Sequence, residues 1–176
     1  MADKMLEIYV HGIEDGSRDV SLTAGVETIP ELFEEFFGEV TVNGKLRKLG
    51  NRYSFTGTAT CKARLICDRT LREYTETIQA ELKLSYLADT ALYNAADGDG
   101  LEKSEQHIIH EDEKYIDLSD EVREHLAVNL PMKRIAPDVK DKDIEEIYPE
   151  HTAESHQSGE EIDERWSALK NIKFNN

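Results

Sequence analysis

Eight basic side chains (Lys45, Arg47, Lys48, Arg52, Lys62, Arg64, Arg69 and Arg72) stand between positions 45 and 72 against one acid, Asp68. That stretch carries +7, the remainder sums to -23, and the formal net charge is -16. Clustered Lys and Arg can neutralise phosphates, whereas a chain acidic elsewhere cannot coat a nucleic acid over its whole surface. Lys62 and Arg64 continue the two-residue spacing of Thr56, Thr58 and Thr60, which in a strand is one face. Hydroxyl and guanidinium groups side by side suit sugar and phosphate contacts. Lys62, Arg64 and Arg69, with Lys45, Arg47 and Arg72 beside them, are therefore the candidate RNA contacts. From composition alone, a solvated face paired with the acidic part of the chain weighs equally. Stacking on single-stranded bases is poorly served, because Tyr53 and Phe55 fall on the opposite, core-facing side.

Other chemistry has less to start from. The chain has no Gly-x-Ser-x-Gly elbow, no phosphate-cradling Gly-rich loop, no dinucleotide fingerprint and no His-Glu-x-x-His, so no catalytic residue is assigned and no enzyme is expected. Cys67 with a distant His110 or His125 could form a nucleophile and base. Cys61 and Cys67, however, sit on the inward face of one strand, where Cys behaves as a small hydrophobe, and a disulfide would fold that strand back on itself. Both are expected as reduced, packed thiols. Six histidines (His11, His107, His110, His125, His151 and His156) offer only His107 with His110, or His151 with His156, as close pairs. Positions three apart in a strand point to opposite faces, and the second pair lies in a polar segment, so surface histidines are the stronger reading and no metal is expected. Asp97-Gly98-Asp99-Gly100 resembles part of a calcium loop without its downstream ligands and reads as a solvated turn.

The elements that must position the basic stretch follow from periodicity. Tyr53, Phe55, Gly57, Ala59, Cys61, Ala63, Leu65 and Cys67 share one face of a strand. Its partner runs from Arg72 to Tyr86, with Tyr74, Ile78, Ala80, Leu82, Leu84 and Tyr86 on the matching face. A loop at 68–71 places Cys67 opposite Arg72, Leu65 opposite Tyr74, Cys61 opposite Ile78 and Phe55 opposite Leu84, burying both apolar faces in one register. Glu76, opposite Ala63, is the misfit. Upstream, Leu6, Ile8 and Val10 open the fold as a half-buried strand, and Gly12 to Ser17 reads as a turn. Thr28 and Glu31 have the form of a capping box ahead of Leu32, Phe33, Phe36 and Phe37, which predicts a short helix over 29–37 ended by Gly38. Asn43-Gly44 is either a hairpin turn or a bulge in a longer strand, and Gly50-Asn51 is a second turn.

Downstream, Asp89 to Gln106 reads as a loop and His107 to His110 as a short returning strand. Ser119 is placed as the N-cap of a helix through Leu130, with Val122 and Leu126 on its apolar face and Pro131 as its stop. Asp138 to Glu164 holds eleven acidic and two basic residues, the composition of a weakly ordered arm. Trp166, Leu169 and Ile172 suggest a short terminal helix.

Three islands occur in the order found in the large ribosomal RNA subunit accumulation protein YceD family. Leu65-Ile66-Cys67-Asp68-Arg69-Thr70-Leu71 resembles the family's Cys-x-Arg-Cys-Leu turn. Ile116-Asp117-Leu118-Ser119-Asp120-Glu121-Val122 with Asn129-Leu130-Pro131-Met132 is similar to its next hallmark, and Asp163-Glu164-Arg165-Trp166-Ser167-Ala168-Leu169 to its terminal Asp-Pro-Arg-Trp-x-x-Leu. The family-motif positions are thus Cys67, Arg69, Leu71, Leu130, Pro131, Arg165 and Trp166. Thr70 replaces a second cysteine present in many members, and the downstream cysteines are missing, so a tetrahedral zinc site lacks its ligands and no cofactor is expected. The resemblance implies a role in the accumulation of large-subunit (23S) ribosomal RNA, in bacteria and plastids, without a known catalytic activity.

Together these features predict an α+β fold in two parts. A core domain over 1–132 is built on an antiparallel β-sheet, with closure into a barrel left open, and helices near 29–37 and 119–130 cover it. An acidic, partly disordered arm over 133–176 ends in a short helix. No apolar run reaches the roughly 18 residues needed to span a bilayer, so a cytoplasmic, non-membrane protein is expected. Its partner is expected to be large-subunit ribosomal RNA or a pre-ribosomal particle. The alternative is a chaperone for a basic ribosomal protein, using the acidic arm.

Overall fold

The computed structural model describes residues 6–96 and 107–149. Their strands are β1 (Glu7–Tyr9), β2 (Gly16–Gly25), β3 (Phe36–Leu49), β4 (Arg52–Ile66), β5 (Glu73–Ala88), β6 (His107–Ile109) and β7 (Tyr115–Asp117). The helices are α1 (Thr90–Ala96), α2 (Ser119–Val128) and α3 (Ile144–Ile147). The fold is α+β, as its sequence pattern predicts. A five-stranded sheet runs β2-β3-β4-β5-β6 and is open, with β2 and β6 at its edges, while β1 and β7 pair as a separate antiparallel ribbon. The pairings from β2 to β5 are antiparallel, and β6 joins β5 in parallel.

The β4–β5 register follows from the alternation on both strands: Leu65 faces Tyr74, Cys61 faces Ile78 and Phe55 faces Leu84. The inner face of the sheet, with Val42 and Leu46 on β3, Phe55 and Leu65 on β4 and Leu82 on β5, is buried in one cluster with Leu6, Ile8, Ile116, Val122 and Leu126. The β1–β7 ribbon and α2 therefore cover that face. Glu76, opposite Ala63, is exposed, so the one acid on the apolar side lies where the cover does not reach.

Several expectations are corrected. The segment 29–37 is not a helix. A 3-10 turn occupies Val26–Thr28, the Thr28 hydroxyl donates to Gly25 O at 2.8 Å instead of capping downstream, and Glu31 has φ +57°. Phe36 and Phe37 already pair with Ala63 and Lys62 of β4, because burying Phe36 in the sheet core outweighs a short local helix. Gly38 does adopt positive φ, at +83°, but in the register shift between Phe37 and Thr41 rather than at a helix end. The turn expected at Gly12 to Ser17 gives way to β2 from Gly16 onward, an unanticipated strand whose Val20, Leu22 and Ala24 face inward opposite Gly44, Val42 and Val40.

Asn43-Gly44 is neither hairpin turn nor bulge: Gly44 pairs directly with Gly57 inside the β3–β4 ladder. The Phe55 ring fills the space over both glycines, and a Cβ on Gly44 would lie 2.5 Å from Thr56 O. Side chains at this pair would force the strands apart.

Asp89 to Gln106 is not a loop throughout, since α1 occupies Thr90–Ala96, with Asp89 Oδ1 accepting from Leu92 N at 2.9 Å. Residues 97–106, including the Asp97 to Gly100 turn, lie outside the described residues. For α2, Ser119 is the first helical residue rather than the cap, and Asp117 Oδ1 accepts from both its N-H and its hydroxyl, at 2.9 and 2.6 Å. No described helix is long and apolar enough to cross a membrane.

Candidate nucleic-acid interface

The outer face of the sheet is assembled by the same register that buries the inner one. Across β2, β3, β4 and β5 the rows read Ser17, Arg47, Ser54, Ser85, then Asp19, Lys45, Thr56, Lys83, then Ser21, Asn43, Thr58, Glu81, then Thr23, Thr41, Thr60, Gln79. Beyond them Phe37, Lys62 and Thr77 form a row, and Arg64 faces Thr75. Lys45, Arg47, Lys62, Arg64 and Lys83 are exposed in a field of hydroxyls and amides. The local ion pairs are surface pairs of little strength, Lys45 with Asp19 at 3.7 Å and Lys83 with Glu81 at 3.3 Å. The Arg64 guanidinium lies over the Phe37 ring, 5.3 Å from its centroid, which holds it upright on the sheet while its charge stays in water.

Of the six basic residues singled out in the sequence, Lys45, Arg47, Lys62 and Arg64 share this face. Arg69 and Arg72 do not join them. Arg69 Nη1 donates to the backbone oxygens of Val139, at 3.1 Å, and of Lys142. Tyr148 Oη donates to Arg69 O at 2.8 Å, and Arg72 lies 3.9 Å from Asp138. Both arginines of the hairpin end therefore hold the first part of the acidic segment, and Arg69 Nη1 is engaged there rather than on the sheet face.

The rest of the hairpin end works to the same purpose. Asp68 N donates to Arg134 O at 2.7 Å, and Asp68 Oδ2 accepts from Arg134 N at 2.8 Å. The Arg134 side chain continues to Glu35, 3.2 Å away. Cys67, Ala136 and Val139 form a second buried cluster, with Tyr74, Ile135 and Ile147 packed against it. Residues 134–148 are thus laid along the β4–β5 turn as ordered chain through α3. Among the family-motif positions, Cys67 and Arg69 build this junction. Leu71 closes the turn by donating to Cys67 O at 2.8 Å, with φ +55° and its side chain 79% exposed. Leu130 packs on the main core, and Pro131 follows α2. Arg165 and Trp166 lie outside the described residues.

Both cysteines are free and buried. Burial raises the Cys61 pKa. For Cys67, the Ala136 N-H, 3.4 Å from the sulfur, and then the Thr70 hydroxyl outweigh burial and lower the thiol from an ordinary value of 9.0 to about 7. A group whose folded pKa is depressed contributes stability that is full above its unfolded pKa and is lost as pH falls through the folded one. The melting temperature of the wild type is therefore expected to gain between about pH 7 and pH 9 relative to Cys67→Ala, and in thermal melts the difference between the two proteins should change with pH in that window and stay constant outside it.

The histidines make local contacts: His107 Nδ1 lies 3.4 Å from Glu121, and His110 Nδ1 accepts from Asp112 N at 3.1 Å. Among the described residues no three His, Cys, Asp or Glu side chains gather as a metal site.

Neither the curated proteins nor the solved structures compared with the chain yield a match. Residues 55–173, more than half of the chain, match the family described as large ribosomal RNA subunit accumulation protein YceD. The matched span begins in β4 and takes in the hairpin, its Cys67–Arg69 junction and the segment held there. The family description connects its members with accumulation of the large ribosomal RNA subunit. On that match, and with the motif residues Cys67 and Arg69 placed together at one junction, the chain belongs to the large ribosomal RNA subunit accumulation protein YceD family.

Proposed function

We propose that the chain is a non-catalytic factor that supports synthesis, processing or stability of large-subunit ribosomal RNA by binding RNA on the outer face of β3, β4 and β5. The observation that carries this reading is the register. It gathers Lys45, Arg47, Lys62, Arg64 and Lys83 on one exposed sheet face among serine and threonine hydroxyls. The cover of the core, β1, β7 and α2, packs on the other side. Ammonium and guanidinium groups neutralise phosphates, and the hydroxyls between them reach sugar and phosphate oxygens. The face carries little aromatic surface beyond Phe37, so contacts run to the backbone of the RNA and not to stacked bases.

The acidic segment begins away from this face. Arg69 and Arg72 hold its described beginning at the hairpin end, so it leaves Lys62 and Arg64 without an ion pair among the described residues. Titration of fragments of large-subunit ribosomal RNA at several salt concentrations, followed by fluorescence anisotropy, tests the reading. Affinity that falls steeply with salt is expected. Absence of RNA binding, with retention of a basic ribosomal protein under the same conditions, would replace this reading with the chaperone alternative.

A further inference from the structure

An open groove of about 660 Å³ lies at the β4–β5 end of the sheet, beside the loop that precedes β3. Its floor is apolar, made by Leu32, Phe33 and Ile66, with Phe33 and Ile66 51% and 53% exposed. Its rim is four carboxylates, Glu31, Glu34, Glu35 and Glu73. Glu31 is paired with Arg123 at 3.1 Å and Glu35 with Arg134 at 3.2 Å, so these two are fixed by neighbouring elements. Glu34 and Glu73 are exposed and have no ion pair among the described residues. The loop that carries the groove is itself anchored, since Arg64 N donates to Glu35 O at 2.7 Å.

The chemistry of this groove selects among occupants. RNA would bring phosphates against the carboxylate rim. A second copy would bring a chain of net charge -16 to an already acidic surface. A cationic partner gains from both the local rim and the overall field, and half-exposed Phe33 and Ile66 offer it an apolar seat. We infer that this groove is a docking site for a basic protein segment in which an apolar side chain is flanked by Lys or Arg. The apolar residue settles on Phe33, Leu32 and Ile66 while its flanking cations meet Glu34 and Glu73. Ile66 and Glu73 follow Arg64 and Thr75 along the outer face, so the groove adjoins the end of the basic sheet face and a polypeptide seated there lies beside a bound RNA strand.

The test uses the full chain and a fluorescent peptide of sequence Gly-Lys-Arg-Leu-Arg-Lys-Gly, with a control in which Ser replaces the central Leu. At physiological salt the Leu peptide is expected to bind about tenfold more tightly than the Ser peptide. Amide chemical-shift changes should fall on residues 32–35, 66 and 73. The double variant Glu34→Lys with Glu73→Lys, and separately Phe33→Ser, should each weaken binding about tenfold while melting as the wild type does. Equal affinity for the two peptides, shifts centred elsewhere, or binding unaffected by these variants would overturn the proposal. RNA titrations of the same variants keep the two surfaces apart. Phe33→Ser is expected to retain RNA affinity and the Glu34→Lys, Glu73→Lys pair to raise it, whereas loss of peptide binding on Lys45→Ala, Lys62→Ala and Arg64→Ala would move the peptide site from the groove to the sheet face and overturn the proposal.

Discussion

Replacing Lys45, Lys62 and Arg64 together by Ala is expected to weaken binding of single-stranded ribosomal RNA about 50-fold at 0.15 M salt and to reduce the magnitude of the salt slope by about 2, at roughly 0.7 per lost phosphate contact. All three side chains are exposed on the outer face, opposite the core, so none of the substitutions opens a cavity. Lys45 and Lys62 stand on adjacent strands, in register with Thr56 and with Phe37 and Thr77, and Arg64 projects from the same face of β4 as Lys62. A strand of RNA crossing the sheet diagonally would meet all three. Circular dichroism and a thermal melt of the triple variant should match the wild type while anisotropy reports the loss of affinity. A folded variant with unchanged affinity and slope would remove this face from the RNA contact.

Arg69→Ala is expected to do something different: to destabilise the fold by about 2 kcal/mol, lowering the melting temperature by on the order of 5 °C, without a matching loss in the RNA salt slope. The guanidinium is the common donor to the Val139 and Lys142 oxygens, and its loss leaves both carbonyls to water in a partly open site. Residues 134–148 should then loosen, exposing Cys67 and Val139, which are buried in the intact junction. Limited proteolysis would report cleavage between Ala136 and Tyr148 in the variant well before the wild type is cut. Arg69→Lys is expected to restore little, because the ammonium sits on a shorter stem and does not reach the position from which Nη1 serves both carbonyls. If Arg69→Ala lowers the salt slope by about 0.7 and leaves the melt untouched, Arg69 contacts phosphate after all.

The contrast between these two arginine sites shows what the chain's pattern conveys. Arg64 lies in a strand whose inward residues alternate without interruption, so its direction follows from the period of two. Arg69 lies in the turn, where no period applies, and basic character alone assigns it to the neighbouring basic face. Its carbonyl partners are backbone atoms of residues 70 and 73 positions later, invisible to side-chain type. The ordered stretch after Pro131 is hidden for a related reason. Its buried contribution comes from small side chains, Ala136 and Val139, amid acids that read as solvated.

The aromatic run leading into β3 misleads in the opposite sense. Phe33, Phe36 and Phe37 fit a helical face by spacing, yet they serve a groove, the core and the Arg64 guanidinium respectively. β2 escapes notice because it is an edge strand with Arg18 and Asp19 at its start, and its inward residues Val20 and Leu22 are only half-buried. The β4–β5 hairpin, by contrast, is legible down to individual pairs because Tyr53 to Leu65 on one strand and Ile78 to Tyr86 on the other alternate regularly and bury their apolar faces against the same cover.

The central claim is that the sheet face opposite the core receives ribosomal RNA. Its most direct test is a titration of the isotope-labelled full chain with fragments of large-subunit ribosomal RNA, read as amide chemical-shift changes residue by residue. The predicted shifts gather on Lys45 and Arg47 of β3, on Thr56 to Arg64 of β4 and on Thr75 to Lys83 of β5. Shifts confined to α2, the β1–β7 ribbon or the 134–148 segment, or none at RNA concentrations that saturate a known RNA-binding domain, would contradict the account.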